Sequence, residues 1–146
     1  MREILFRGKR LDDGEWVEGS YVCQYGRHYI YLLYGADGQY VPEYYSVDPS
    51  TVGQYTGLTD KNGKKIFEGD ILHYTGMTTE YDDFCYVVFE CAEFALKFIT
   101  MDKQTMAKNE LELLPLQRGL FDFCRESNSF EVIGNIHDNP ELLRAE

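Results

Sequence analysis

Apolar and polar positions alternate with a period of two along much of this chain, in short runs broken by glycine-bearing turns. Ile4 to Lys9 and Glu15 to Tyr21 flank Asp12-Asp13-Gly14, which predicts a hairpin. In its first arm Ile4 and Phe6 share one face, and Leu5 and Arg7 share the other. Tyr21 to Gln24 and His28 to Tyr34 predict a second strand pair around Tyr25-Gly26-Arg27. Gly35 to Gly38 is a turn. Tyr40 to Val47 is extended but interrupted by Pro42, which belongs on an edge or in a loop. Asp48-Pro49-Ser50 is a further break and the natural boundary between two lobes.

The stretch from Val52 to Leu72 is the most structured signal. Asn62-Gly63 is a strong hairpin turn, and it allows two registers. A two-residue turn sets Lys61 against Lys64, with like charges facing. A type I turn with a bulged Gly63 sets Asp60 against Lys64 and Leu58 against Ile66. Opposite charges and apolar matching favour the second register. Gly69 then frees the backbone for a sharp turn into Asp70 to Tyr74.

Thr75 to Asp83 is polar and reads as a loop. Phe84 to Glu90 and Phe94 to Thr100 predict strands joined near Cys91-Ala92-Glu93. Helix competes for Cys91 to Leu96, but β-branched and aromatic residues favour strand. Met101 to Asn109 has room for a short helical turn. Leu111, Leu113 and Leu114 lead to Pro115 in an edge segment, Arg118 to Asn128 reads as a loop, and Phe130 to Ile136 is a final strand. Asn139-Pro140 places a capping side chain before a proline at the first helical position, predicting a short C-terminal helix over Glu141 to Arg144. The chain is therefore mostly β, a small barrel or sandwich.

Composition sharpens this picture. The chain has 146 residues, 44% hydrophobic and 15% aromatic, with 12 Tyr and 9 Phe. That length suits one domain, or a small β lobe over 1–50 attached to a second over 51–146. Net charge is −11, which repels phosphate backbones and argues against direct nucleic-acid binding. The acidity fits plain solubility or a basic partner. The four cysteines, Cys23, Cys85, Cys91 and Cys124, lack Cys-x-x-Cys spacing and read as buried thiols in a reducing cytoplasm. The N-terminus has no apolar h-region, so no signal peptide is expected, and no run is long enough for a membrane span.

Candidate chemistry is sparse. Asp70 and His73 fall on opposite faces of an extended strand, so Asp70 is expected to stabilise the Glu68-Gly69 turn. His137-Asp138 sits at the predicted helix start, where Asp138 or Asn139 satisfies backbone donors. No spaced ligand set for a metal exists among the 3 His. Neither Cys85 nor Cys91 has a partner base in sequence. The acidic Glu80, Asp82 and Asp83 lack EF-hand spacing, and Gly57 and Gly63 form no phosphate-binding loop. Arg7 and Lys9 share a face near Glu15 or Glu18, which predicts cross-strand pairing. No cofactor or catalytic residue is expected.

Tyr29 and Tyr31 carry the best site hypothesis. They share a face, with Ile30 and Leu32 on the other. If the aliphatic face is core, a tyrosine face remains for a partner or a second copy, unless another sheet covers it. In the central hairpin, turn-exposed Asp60, Lys61 and Lys64 are what backbone geometry leaves unexplained.

Several segments together resemble one family. Arg2 to Lys9, Gly14 to Gly19, Val47-Asp48-Pro49, Val52 to Leu72 and Phe130 to Leu143 are similar to the signatures of YopX-like proteins. The resemblance spans nearly the whole chain and is weakest over Thr75 to Asn128. It implies a protein of phage or prophage origin in a bacterial cytoplasm, with an SH3-like β-barrel. It implies no particular activity and supplies no catalytic residues. The expectation is a non-enzymatic accessory module that binds another protein or itself. The competing expectations are an acidic inhibitor that mimics nucleic acid and an enzyme with an unrecognised site.

Overall fold

The computed structural model describes residues 3–74, 83–90, 92–102, 107–115 and 130–143, with side chains at 3–73, 84–89, 92–97 and 130–143. The chain divides into two compact units, Met1–Gly57 and Leu58–Glu146. The division falls past the Asp48-Pro49-Ser50 break, within a strand.

The first unit contains β1 (Phe6–Lys9), β2 (Trp16–Gln24), β3 (Arg27–Ala36), β4 (Gln39–Ser46) and most of β5 (Gly53–Thr59). Their order is β4-β3-β2-β1-β5. Two hairpins have two-residue turns. Gln24 pairs with Arg27 across Tyr25-Gly26, and Ala36 pairs with Gln39 across Asp37-Gly38. Both central residues have positive φ in each, 52 and 72 in the first, 57 and 78 in the second. These are type I′ turns, whose twist matches that of the flanking strands. Pro42 lies in the edge strand β4, opposite Leu33, as its missing N–H requires. Asp48 caps a 3-10 turn over Pro49–Thr51, accepting the Ser50 N–H at 3.0 Å. The core of this unit gathers around Ile30, Val47 and Tyr55, all buried. A side chain at Gly19 would place its Cβ 2.3 Å from the Tyr31 carbonyl oxygen and 2.9 Å from Ile30 Cγ2, so only glycine lets β2 lie against β3 there.

The second unit contains β6 (Lys65–Phe67), β7 (Asp70–Tyr74), β8 (Asp83–Glu90), β9 (Glu93–Asp102), β10 (Ala107–Pro115) and β11 (Phe130–Asn135). β7 to β11 form an antiparallel sheet in the order β10-β9-β8-β7-β11. Ile66, Leu72, Cys85, Val87, Leu96, Phe130 and Val132 form its core, with Leu58 and Phe94 against it. Burying each large side chain contributes roughly 1.5–3 kcal/mol. The chain is mainly antiparallel β, as the alternation predicts. Among the described residues, however, the strand order is open at β10 and β11, and no closed SH3-like barrel is formed. Thr75 to Asp82, Cys91, Cys124 and Arg118 to Asn128 lie outside the described residues.

The Asp60 turn organises this unit. The Asp60 N–H donates to the Lys64 carbonyl at 2.8 Å and the Gly63 N–H to the Asp60 carbonyl at 3.0 Å, which is the bulged register that charge matching favours. Asp60 Oδ1 accepts the N–H groups of Asn62 and Lys64, both at 2.9 Å. Its Oδ2 accepts the Val132 N–H of β11 at 3.0 Å. Lys61 N–H donates to the Phe130 carbonyl at 3.0 Å, and Lys61 Nζ lies 3.2 Å from Glu131. The central turn is thus sutured to the final strand.

The predicted terminal helix is a 3-10 turn over Pro140–Leu143. The cause is the preceding turn. Asn139 Oδ1 faces back to the Asn135 N–H at 3.3 Å instead of capping forward. Asn135 Oδ1 accepts the N–H groups of His137 and Asp138, a role that sequence assigns to Asp138 or Asn139. Asp70 behaves as expected: its Oδ2 accepts the Phe67 N–H across the Glu68-Gly69 turn at 2.8 Å.

Burial opposes ionisation of Asp60, but the N–H bonds from Val132, Lys64 and Asn62 and the nearby Lys64 charge outweigh it and hold the carboxyl below its ordinary value of 3.8. A depressed folded value means stabilisation that is present above about pH 4 and lost as pH falls through the folded value. Asp60→Asn sets an amide donor against the Val132 N–H and should cost about 2 kcal/mol in urea unfolding at neutral pH. The difference from wild type should shrink as pH falls through the folded value; a cost that does not change with pH would refute an ionised clamp.

Candidate functional site

The two hairpins of the first unit build an aromatic arm. In β3 and β4 the register sets Tyr31 against Tyr44 and Tyr29 against Ser46. Tyr44 therefore falls between the two β3 rings on one face. Its ring centroid is 4.8 Å from that of Tyr31 and 6.3 Å from that of Tyr29, the latter edge-on, the preferred geometries for aromatic pairs. Ile30 points to the opposite face and is buried, so the aliphatic face is core near the arm's base.

Toward its tip the arm loses that cover. Leu33 is 55% exposed, Tyr34 68%, Tyr40 62%, Val41 61% and Tyr44 61%. Alternation puts Leu33, Tyr40 and Tyr44 on the tyrosine face, and Tyr34 and Val41 on the other. Sequence reasoning singles out Tyr29 and Tyr31 but misses their partners. The two-residue Asp37-Gly38 turn is the signal that finds them, because it fixes which β4 residues face which β3 residues.

At the base, polar side chains brace the arm. The Tyr45 hydroxyl donates to Glu43, and that hydrogen bond raises the phenol above its ordinary value of 10.0. The Arg10 guanidinium sits 4.2 Å from the Tyr45 ring centroid and 2.6 Å from Asp12. Tyr21 and His28 stack, and the Tyr21 hydroxyl bonds His28 Nδ1. Trp16 of β2 lies under two cations of β1, with Arg7 Cζ at 4.7 Å and Lys9 Nζ at 5.7 Å. In the register Arg7 stands opposite Glu18, and Lys9 opposite Trp16 rather than a carboxylate.

The central turn places its candidates differently. Asp60, expected on the exposed surface, is 2% exposed, because its carboxylate is consumed by backbone N–H groups. It is structural. Lys61 and Lys64 remain at the surface, with Lys61 paired to Glu131. The tyrosine pair and the lysine pair belong to different units and are not one patch of sequence. Asp70 and His73 also separate: Asp70 is buried, and the His73 ring stacks on Phe84 at 5.0 Å. Cys85 is a buried thiol, whereas Cys23, expected to be buried, is exposed on β2. Among the described residues no His, Cys, Asp and Glu cluster is placed to hold a metal ion, and no helix is long and apolar enough to cross a membrane.

Antiparallel sheets in two units, with an aromatic hairpin arm at one edge, define the class as a β-rich module. Its family follows from the sequence. The YopX protein family matches residues 5–144, and the chain belongs to that family. The crystal structure of protein EF1440 from Enterococcus faecalis is similar over 99% of this chain and 100% of its own, at 25% identity and a TM-score of 0.59. Comparison with curated proteins found no match.

Trp16→Leu keeps apolar bulk and removes the ring beneath Arg7 and Lys9. We expect it to lower stability by about 1 kcal/mol in urea unfolding. A second measurement at high salt should give a similar loss, since stacked cations beside a ring are less screened than surface ion pairs.

Proposed function

We propose that the protein is a non-enzymatic accessory module of phage or prophage origin, acting in the bacterial cytoplasm by binding another protein or itself. The observation that carries this reading is the tyrosine ladder of Tyr29, Tyr31 and Tyr44 on the edge hairpin of the first unit. Tyrosines supply large, rigid contact area and are enriched where proteins meet. Lys61 and Lys64 form a secondary contact point at the turn of the other unit.

An acidic surface that mimics nucleic acid has weaker support. Asp60 and Asp70 are buried. Asp12 and Asp13 face Arg10, and Glu131 faces Lys61. Much of the described acidity serves local structure. An enzymatic reading has no convergent set of polar groups to support it among the described residues.

The test is affinity capture of the tagged full chain from producing cells, with elution at rising salt. A tyrosine interface predicts a salt-resistant partner. Tyr29→Ser with Tyr31→Ser should lose that partner while circular dichroism stays native. Retention by the folded double variant would count against the tyrosine face, and release at modest salt would favour the acidic reading.

A further inference from the structure

We propose that Asn62 is a self-modification site. Its side-chain carbon closes onto the Gly63 nitrogen and releases ammonia, at a rate set by opening of the Asp60 clamp. The inference stands apart from the tyrosine face, because every residue it uses belongs to the second unit.

Asn62 is exposed in the central turn, and no other asparagine in the chain precedes a glycine. Gly63 has a φ of 78, and a Cβ built on it meets nothing within 4 Å. Its nitrogen is uncrowded, and without a side chain the residue turns easily toward the one before it. Asparagine is among the thermolabile residues, and a following glycine is what this route needs.

The reaction consumes only water. The Gly63 nitrogen, losing its proton, attacks Asn62 Cγ. A bond forms between them, the Cγ–Nδ2 bond breaks, and Nδ2 leaves with that proton as ammonia. Water then opens the five-membered imide. Opening at Cγ gives aspartate. Opening at the main-chain carbonyl gives isoaspartate, whose backbone runs through Cγ and is longer by one carbon. Nothing is oxidised or reduced.

The closed turn resists this chemistry. The Gly63 N–H is held by the Asp60 carbonyl at 3.0 Å, and Asn62 Nδ2 donates to Glu131 at 3.3 Å. The N–H groups of Asn62 and Lys64 are held by Asp60 Oδ1, both at 2.9 Å. Both reacting nitrogens are engaged, so ring closure waits for local opening of the turn.

The product does not fit back. Aspartate sets a carboxylate against Glu131 where an amide had donated. Isoaspartate also carries the Gly63 and Lys64 N–H groups away from Asp60 by the added carbon. Asp60 is 2% exposed, and a buried carboxylate that loses hydrogen bonds is costly. The same carboxylate holds the Val132 N–H of β11. One irreversible change at a surface turn thus loosens the suture between that turn and the final strand.

The test follows the full chain over days in mildly alkaline buffer, by peptide mapping that separates asparagine, aspartate and isoaspartate at position 62. The folded chain should convert about tenfold more slowly, or slower still, than the same chain held unfolded in urea. Asp60→Asn, shown folded by circular dichroism, should convert about tenfold faster than wild type. Glu131→Ala removes the Asn62 and Lys61 contacts from the surface and should also speed conversion, whether or not Asp60→Asn folds. The isoaspartate fraction should unfold at lower urea than fresh protein. Asn62→Gln, which keeps the amide and every other susceptible site, should age without that loss. Conversion as fast in the folded chain as in urea, no acceleration in Glu131→Ala or folded Asp60→Asn, or a converted fraction as stable as fresh protein overturns the inference.

Discussion

A carboxylate removed from water costs several kcal/mol unless hydrogen bonds replace its hydration. Asp60 meets that condition with the N–H groups of Asn62 and Lys64 in its own turn and of Val132 in β11. The same group therefore does two jobs. It fixes the bulged register of the hairpin into β6, and it holds β11 at the position where Phe130 and Val132 enter the core. The Lys61 contacts to Phe130 and Glu131 repeat the connection on either side. With β11 placed, the backbone of β7 has a partner along its whole length, from Tyr74 against Phe130 to Asp70 against Asn135. Core and sheet in this unit both depend on one buried anion.

The first unit is organised by turns instead. Two type I′ hairpins in succession set β2, β3 and β4 in register, and the Leu11 N–H bond to the Ser46 carbonyl ties the end of β4 to the N-terminal hairpin. This arrangement covers Ile30 and leaves the far end of the arm bare. Exposed apolar area of that kind is costly for a solitary protein, and Pro42 interrupts the outer edge of β4.

Local patterns in the sequence carried much of this. Alternation located most of the described strands, their turns were read slightly too wide at Tyr25-Gly26-Arg27 and Gly35 to Gly38, and the facing charges of Asp60 and Lys64 selected the correct register at Asn62-Gly63. The shared face of Tyr29 and Tyr31 was equally legible. The burial of Asp60 was not, because a carboxylate between lysines in a turn reads as solvated. What buries it is an N–H in a strand far along the chain, and no local pattern encodes that. The C-terminal helix failed for a similar reason: Asn139 looked like a forward cap, but Asn135 had already recruited it. The residues left barrel and sandwich both open and family likeness supplied the SH3-like type, because alternation alone is silent on whether a sheet closes.

The bond from Asp60 to Val132 spans 72 residues, whereas the arm's hairpins close over two-residue turns. Hairpins of that kind form in microseconds, and a ribosome adds residues at about 5–20 per second. During synthesis the tyrosine arm is therefore complete seconds before the anion clamp has a partner strand to grip. A nascent chain completes its aromatic hairpin arm first and its clamped second unit last, while Asp60 still waits for β11.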